Sequence, residues 1–171
     1  MKNILLLLLL VTAPSAITRA ENASNSATSS VWITGPDAAF QRATELRRPL
    51  LINFTGSDWC IWCHRVRDEI FVQKHFVDYA ATHLVLLEVD SPRQTKLPAD
   101  LEKQHAALKE KYTVTGYPTL LLIDANGREL GRLGYMQGGA KTFVRELKRL
   151  TGPVMSAAPA PSEAARAPAA R

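Results

Sequence analysis

Two cysteines, Cys60 and Cys63, stand where an apolar run ends and a helical pattern begins, and this junction constrains the fold more than any other feature of the chain. Leu50-Leu51-Ile52-Asn53-Phe54 is short, apolar and bounded by Thr55-Gly56-Ser57, which reads as a buried strand. From Trp59 the pattern turns helical, with Cys63, Val66, Ile70 and Phe71 on the inner face. The first amides of a helix are unpaired and carry partial positive charge. Cys60 at such an end is favoured as the thiolate, the form that attacks sulfur. Cys63 lies three residues on, so both sulfurs fall on the same side of the first turn. A disulfide across so small a loop constrains the unfolded chain little, and reversible exchange explains the pair better than stapling.

The rest of the core supplies the frame. Ala38, Phe40, Ala43 and Leu46 recur at helical spacing after Gly35-Pro36-Asp37, and Pro49 closes that helix. Phe76 and Tyr79 continue the helical pattern after Phe71, following a break or bend. Leu84 to Val89 is a second buried strand. Ser91 to Ala99 is a loop, and Leu101, Ala107, Leu108 and Tyr112 mark a helix that is heavily charged outside. Thr119 to Ile123 is a third buried strand. Ala125-Asn126-Gly127 then turns the chain into a partner strand, Glu129 to Leu133, because Asn-Gly between apolar runs is a strong hairpin signal. Phe143, Leu147 and Leu150 face inward from a last helix. Strand-helix-strand order predicts a parallel core with crossovers, and the hairpin adds an antiparallel edge. The expected class is α/β: a mixed central sheet with helices on both faces.

The ends read differently. Met1-Lys2-Asn3 and the apolar run Ile4 to Val11 precede Thr18-Arg19-Ala20, the pattern of a signal peptide over residues 1–20, cleaved after Ala20. The run is too short for a bilayer, which takes roughly 20 apolar residues, so no stable membrane span is expected. Residues 21–30 read as a polar linker, 31–152 as the folded domain, and 153–171 as a disordered Ala/Pro-rich tail. An exported chain, periplasmic or secreted, meets a compartment where disulfides persist. The formal charge of +5 falls by two once Lys2 and Arg19 are removed, and it is spread along the chain. Nucleic-acid binders cluster their Lys and Arg, so no nucleic-acid partner is expected.

Other readings of the cysteines are weaker. Zinc needs two further ligands, and His64, His75, His83 and His105 form no paired spacing with them, so no metal is expected. The serious rival is Cys60-Ile61-Trp62-Cys63-His64, which matches c-type haem attachment and would make the chain an electron-transfer protein. His64 would then be one axial ligand and Met136 or Met155 the other. Three buried strands around the motif argue against the mostly helical cytochrome c. Outside the haem reading His64 is a helix-surface residue that tunes the thiols when protonated.

Over roughly Val31 to Leu150 the sequence resembles the thioredoxin superfamily, in particular its exported bacterial members. The resemblance rests on Trp59-Cys60-Ile61-Trp62-Cys63 after a strand, Gly116-Tyr117-Pro118-Thr119 before the third strand, and Asp124-Ala125-Asn126-Gly127 followed by Gly134. The Phe54-to-Cys60 lead-in and the Gly134-Tyr135 to Gly138-Gly139 ending carry the likeness to the exported members. It implies the thioredoxin fold and a thiol-disulfide oxidoreductase with Cys60 as nucleophile and Cys63 as resolving cysteine. It also implies no cofactor beyond the Cys60–Cys63 disulfide, protein thiols and disulfides as partners, and a separate redox partner that recycles the pair. Tyr117-Pro118 is implied to be a cis peptide facing the cysteines. Tyr117 and Pro118 then contact substrate, with Trp59 packed beside the site and Trp62 forming an apolar rim.

The departures from the family are equally specific. Ile61-Trp62 replaces the Gly-Pro found between the cysteines of thioredoxin. The family's buried Asp and its Lys partner correspond to Asn53 and Leu86, and an amide cannot take a proton as a carboxylate does. Asp58 either substitutes for that acid, tuning the thiols, or caps the helix. Asn53 also leaves room for a redox-silent binding module on the same fold.

Overall fold

The computed structural model describes residues 32–157. The expected signal peptide (1–20), the linker (21–30) and the tail beyond Ala157 lie outside them. Along the chain run α1 (Pro36–Leu46), β1 (Leu50–Thr55), α2 (Ile61–Val66), a π-helical turn (Arg67–Phe71) and α3 (Lys74–His83). Then come β2 (Val85–Asp90), α4 (Ala99–Lys111), β3 (Thr119–Ile123), β4 (Glu129–Leu133) and α5 (Gly139–Ala157).

The four strands form one sheet in the order β2-β1-β3-β4. β1 pairs with β2 in parallel, and β3 runs antiparallel to both β1 and β4. The mixed sheet is as expected, but its parallel part is the single pair β1/β2, because the connection through α4 returns β3 in the opposite direction.

Strands this apolar must be covered on both faces. Leu51, Leu86, Leu120 and Leu122 point to the side closed by the π turn, α3 and α5, where Phe71, Phe76 and Phe143 pack together. Leu50, Ile52, Phe54, Leu87 and Leu121 point to the side closed by α1 and α4, through Ala39, Ala43, Leu108 and Tyr112. On α1 the buried positions are Pro36, Ala39 and Ala43, while Ala38 faces water. That helix ends at Leu46 because Arg47 adopts the left-handed conformation (φ 51°), ahead of Pro49.

Three local features fix the ends of the site. The helix after the cysteines widens into the π turn and bends before α3, the break expected near Phe71. In the β3–β4 hairpin Asp124 Oδ1 accepts the amides of Asn126 and Arg128, and Gly127 takes the positive φ (83°) that the turn requires. α5 runs through Gly152 and Pro153 to Ala157, past the domain boundary expected at 152. Proline's fixed φ is compatible with helix, so losing one hydrogen bond at residue 153 does not stop it.

Candidate active site

β1 delivers the chain to the site, and Gly56 lets it turn. A Cβ at Gly56 would overlap the Trp59 indole, so only glycine permits that ring to lie against the backbone. The Trp59 and Cys60 amides return to the Gly56 carbonyl at 3.3 and 2.9 Å, forming the turn that starts α2.

Cys60 is the N-cap of α2, and its sulfur accepts the Cys63 amide at 3.2 Å. The two cysteines are joined in a disulfide, with Cα atoms 5.2 Å apart. An amide N–H aimed at sulfur stabilises negative charge there once the bond is reduced. Cys60 and Cys63 are only 5% and 6% exposed, more enclosed than an open helix tip would be. Beside them Trp62, the residue expected on an apolar rim, is 47% exposed, and Ile61, not named for that role, is 65% exposed.

The tryptophans tie the site to two other loops. Trp59 Nε1 donates to the Ser91 carbonyl at 2.8 Å, and its ring meets Tyr117 edge-on with centroids 5.5 Å apart. The Tyr117-Pro118 peptide is cis, as the resemblance implied, and the Tyr117 hydroxyl donates to Ser91 Oγ at 3.0 Å. On the other side Trp62 leans on Tyr135 at 5.2 Å, and the Tyr135 hydroxyl donates to Glu69 at 2.7 Å. That bond to a carboxylate is the main cause holding the Tyr135 phenol above its usual range. Ser91, Arg93 and Tyr135 were not among the residues expected from sequence. Their only signal there was position, in the loop after the second strand and in the Gly134-Tyr135 stretch.

Asp58 is not the cap of α2, one of the two roles expected of it. The cap of α2 is the Cys60 sulfur. The Asp58 carboxylate instead accepts the amides of Arg93 (2.9 Å), Gln94 (2.7 Å) and Thr95 (3.1 Å), 35 to 37 residues away in sequence. These bonds, the one from Arg93 first, hold its carboxyl below the usual range. His64 Nε2 lies 2.8 Å from the Ser57 carbonyl. Ser57 is itself fixed by Asp90, which accepts its amide at 2.9 Å.

Asn53 is buried, and its Oδ1 has no hydrogen-bond partner. Its register partner on β2 is Glu88, not Leu86, which pairs with Leu51. Residues in register on parallel strands share a face, so an amide and a carboxyl lie side by side there. Burial, with the Asp90 charge second, pushes the Glu88 carboxyl up. His105, one of the histidines weighed against a metal, is buried between two carbonyls, Asp90 O and Thr34 O, each 3.0 Å from a ring nitrogen.

Among the described residues no group of three or more His, Cys, Asp or Glu side chains is placed to hold a metal ion. Nor is any described helix long and apolar enough to cross a membrane. Haem attachment needs both sulfurs as thioethers, whereas here each sulfur is bonded to the other and His64 Nε2 is engaged with Ser57.

Comparison with known proteins agrees with this geometry. The chain is 37% identical over 110 residues to the disulfide bond reductase DsbH of Chlamydia pneumoniae, covering 64% of this chain and 66% of that protein. It is 30% identical over 132 residues to the thioredoxin-related protein DsbJ of Chlamydia pneumoniae, covering 77% of this chain but only 37% of DsbJ. A solved DsbH oxidoreductase structure superposes with a TM-score of 0.69 at 34% identity, covering 71% of this chain and 84% of that one. The profile of the Thioredoxin-like domain family matches residues 36–151. The chain belongs to the thioredoxin-like family.

Proposed function

We propose that the chain is an exported bacterial thiol-disulfide oxidoreductase that reduces disulfides in other proteins through Cys60 and Cys63. The observation that carries this reading is the Cys60–Cys63 disulfide at the head of α2, with the Cys63 amide on the Cys60 sulfur. The reductive direction is supported by the likeness to DsbH, named a disulfide bond reductase. Export is supported by the apolar Ile4 to Val11 run with its charged and small-residue flanks.

The exchange starts from the reduced pair. The Cys60 thiolate attacks one sulfur of a substrate disulfide; that S–S bond breaks, and the other substrate sulfur leaves as a thiolate that takes up a proton. Cys63 then loses its proton and attacks the Cys60 sulfur, releasing the second substrate thiolate, which is protonated in turn. The substrate has gained two electrons and two protons, and the protein is left with the disulfide of this structure. A separate dithiol protein restores the reduced pair by the same exchange in reverse. Trp59, Trp62, Tyr117 and Pro118 form the surface on which the substrate segment lies.

Insulin reduction tests the reading. Cys60→Ser abolishes turnover, and Cys63→Ser accumulates mixed disulfides through Cys60. Unchanged insulin reduction by Cys60→Ser would overturn it. The reduction potential of the pair, set against that of the compartment, tests the direction.

A further inference from the structure

We propose that this site selects polypeptide disulfides flanked by carboxylates, with Arg93 and Arg65, stacked on the tryptophans that precede the two cysteines, as the selecting residues. The inference rests on the exchange activity proposed above and deepens it to a substrate class.

Trp59 directly precedes Cys60, and the Arg93 guanidinium lies over its ring, 3.8 Å from the centroid. Trp62 directly precedes Cys63, and the Arg65 guanidinium lies over its ring at 4.9 Å. Both arginines are exposed. Neither reaches a carboxylate within ion-pair distance among the described residues, whereas Arg42, Arg67, Arg128, Arg132 and Arg149 each do. A guanidinium resting on an indole keeps its edge N–H groups free for a planar acceptor.

The carboxylates around the site are held by other donors, with only Asp68 paired to a cation, and none of them reaches Arg65 or Arg93 as an ion pair. Asp58 is bound by the loop amides, Asp90 by Ser57, Glu69 by the Tyr135 hydroxyl and Asp68 by Arg67. Arg65 also faces the Tyr135 hydroxyl, which leaves the rest of its fork open. The loop that carries Arg93 is pinned by Asp58, so the cation is presented in place rather than ordered on binding. Two cations stacked on the tryptophans that precede the two cysteines favour a substrate with Asp or Glu beside its own cystine and disfavour one with Lys or Arg there.

The test uses the full chain, reduced, with three matched peptides whose single disulfide is flanked by Glu, Gln or Lys. Each rate is divided by that of the same peptide with dithiothreitol, which removes differences in intrinsic reactivity. At about 0.01 M salt, where the Debye length is about 30 Å, the Glu peptide is expected to react about tenfold faster than the Gln peptide, and the Lys peptide more slowly than either. At about 1 M salt, where that length is about 3 Å, the preference is expected to fall to about twofold or less. Arg65→Gln and Arg93→Gln each reduce the Glu-to-Gln ratio, and the double variant brings it near one. Lys111→Gln removes an equal charge from the C-terminal end of α4, where it lies over the Phe40 ring rather than over either tryptophan of the site, and it keeps the ratio. Equal normalised rates for the three peptides with the unaltered chain overturn the proposal. So does a loss of preference in Lys111→Gln as large as in the double variant, since net charge alone would then account for it. Failure to reduce any of the peptides overturns the exchange activity itself, and this proposal with it.

Discussion

Trp59 donates its indole N–H to the Ser91 carbonyl at 2.8 Å, joining the turn before the cysteines to the loop after β2. The same Ser91 receives the Tyr117 hydroxyl and the Lys109 ammonium on its Oγ. One residue thus holds together the wall beside Cys60, the segment before the cis peptide and α4.

Trp59→Phe keeps most of the ring but removes the donor, leaving a part-buried carbonyl unsatisfied. The expected cost is about 1 kcal/mol in urea denaturation. A fall in kcat/KM for peptide disulfides is also expected, because Trp59 no longer holds Tyr117 and Arg93 in register with Cys60. Unchanged stability together with unchanged kinetics would show that the Ser91 bond positions nothing.

Asp58 gives a prediction in pH. Its folded carboxyl is held below the usual range by the loop amides, so its anchoring is fully present above the unfolded value, near 3.8, and is lost as pH falls through the folded one. The amides of Arg93, Gln94 and Thr95 are therefore expected to shift together in an NMR acid titration, with a midpoint below 3.8. Asp58→Asn removes that titration and speeds hydrogen exchange at the three amides. A midpoint at or above the usual value contradicts the account.

The sequence made some elements plain and hid others for physical reasons. Leu50 to Phe54, Leu84 to Val89 and Thr119 to Ile123 were readable as strands because both faces of this sheet are covered, so each run is continuously apolar. Asn126-Gly127 announced the hairpin because that turn needs a positive φ. The direction of β3 was not readable, since an apolar run carries no polarity. The burial of His105 was not readable either, since the two carbonyls beside its ring nitrogens come from distant segments. Asp58 looked like a local cap because the amides it binds lie in a loop that only the folded β1/β2 pair brings near. The cysteines were placed correctly from local signals alone, while the arginines on Trp59 and Trp62 depend on tertiary packing that no spacing reveals.

Phe143 tests the core that holds this frame. It is fully buried between Phe71 and Phe76, with ring centroids 6.2 and 6.0 Å away. Phe143→Ala is expected to cost about 3–5 kcal/mol in denaturant unfolding. Part of the loss is transfer free energy and part is the cavity, because the flanking rings are held by α3 and the π turn and close over it only in part. A cost below about 1 kcal/mol would mean that α5 is not a structural wall of the domain.

Glu88 carries the opposite pH sign to Asp58. Burial pushes its carboxyl above the usual value of 4.5, and the Asp90 charge adds to this. The folded state therefore holds a proton that the unfolded state has already released, so stability declines as pH rises from the unfolded value through the folded one. Above that window the cost of burying the charge is constant. Glu88→Gln removes the cost while keeping side-chain shape, and it offers the unpartnered Asn53 Oδ1 an amide donor on the same face. Relative to the unaltered protein, the variant is expected to gain stability between pH 4 and pH 7, read from paired urea titrations. If the difference between the two proteins is the same at both pH values, Glu88 ionises as a solvated carboxylate and the side-by-side placement with Asn53 has no energetic consequence.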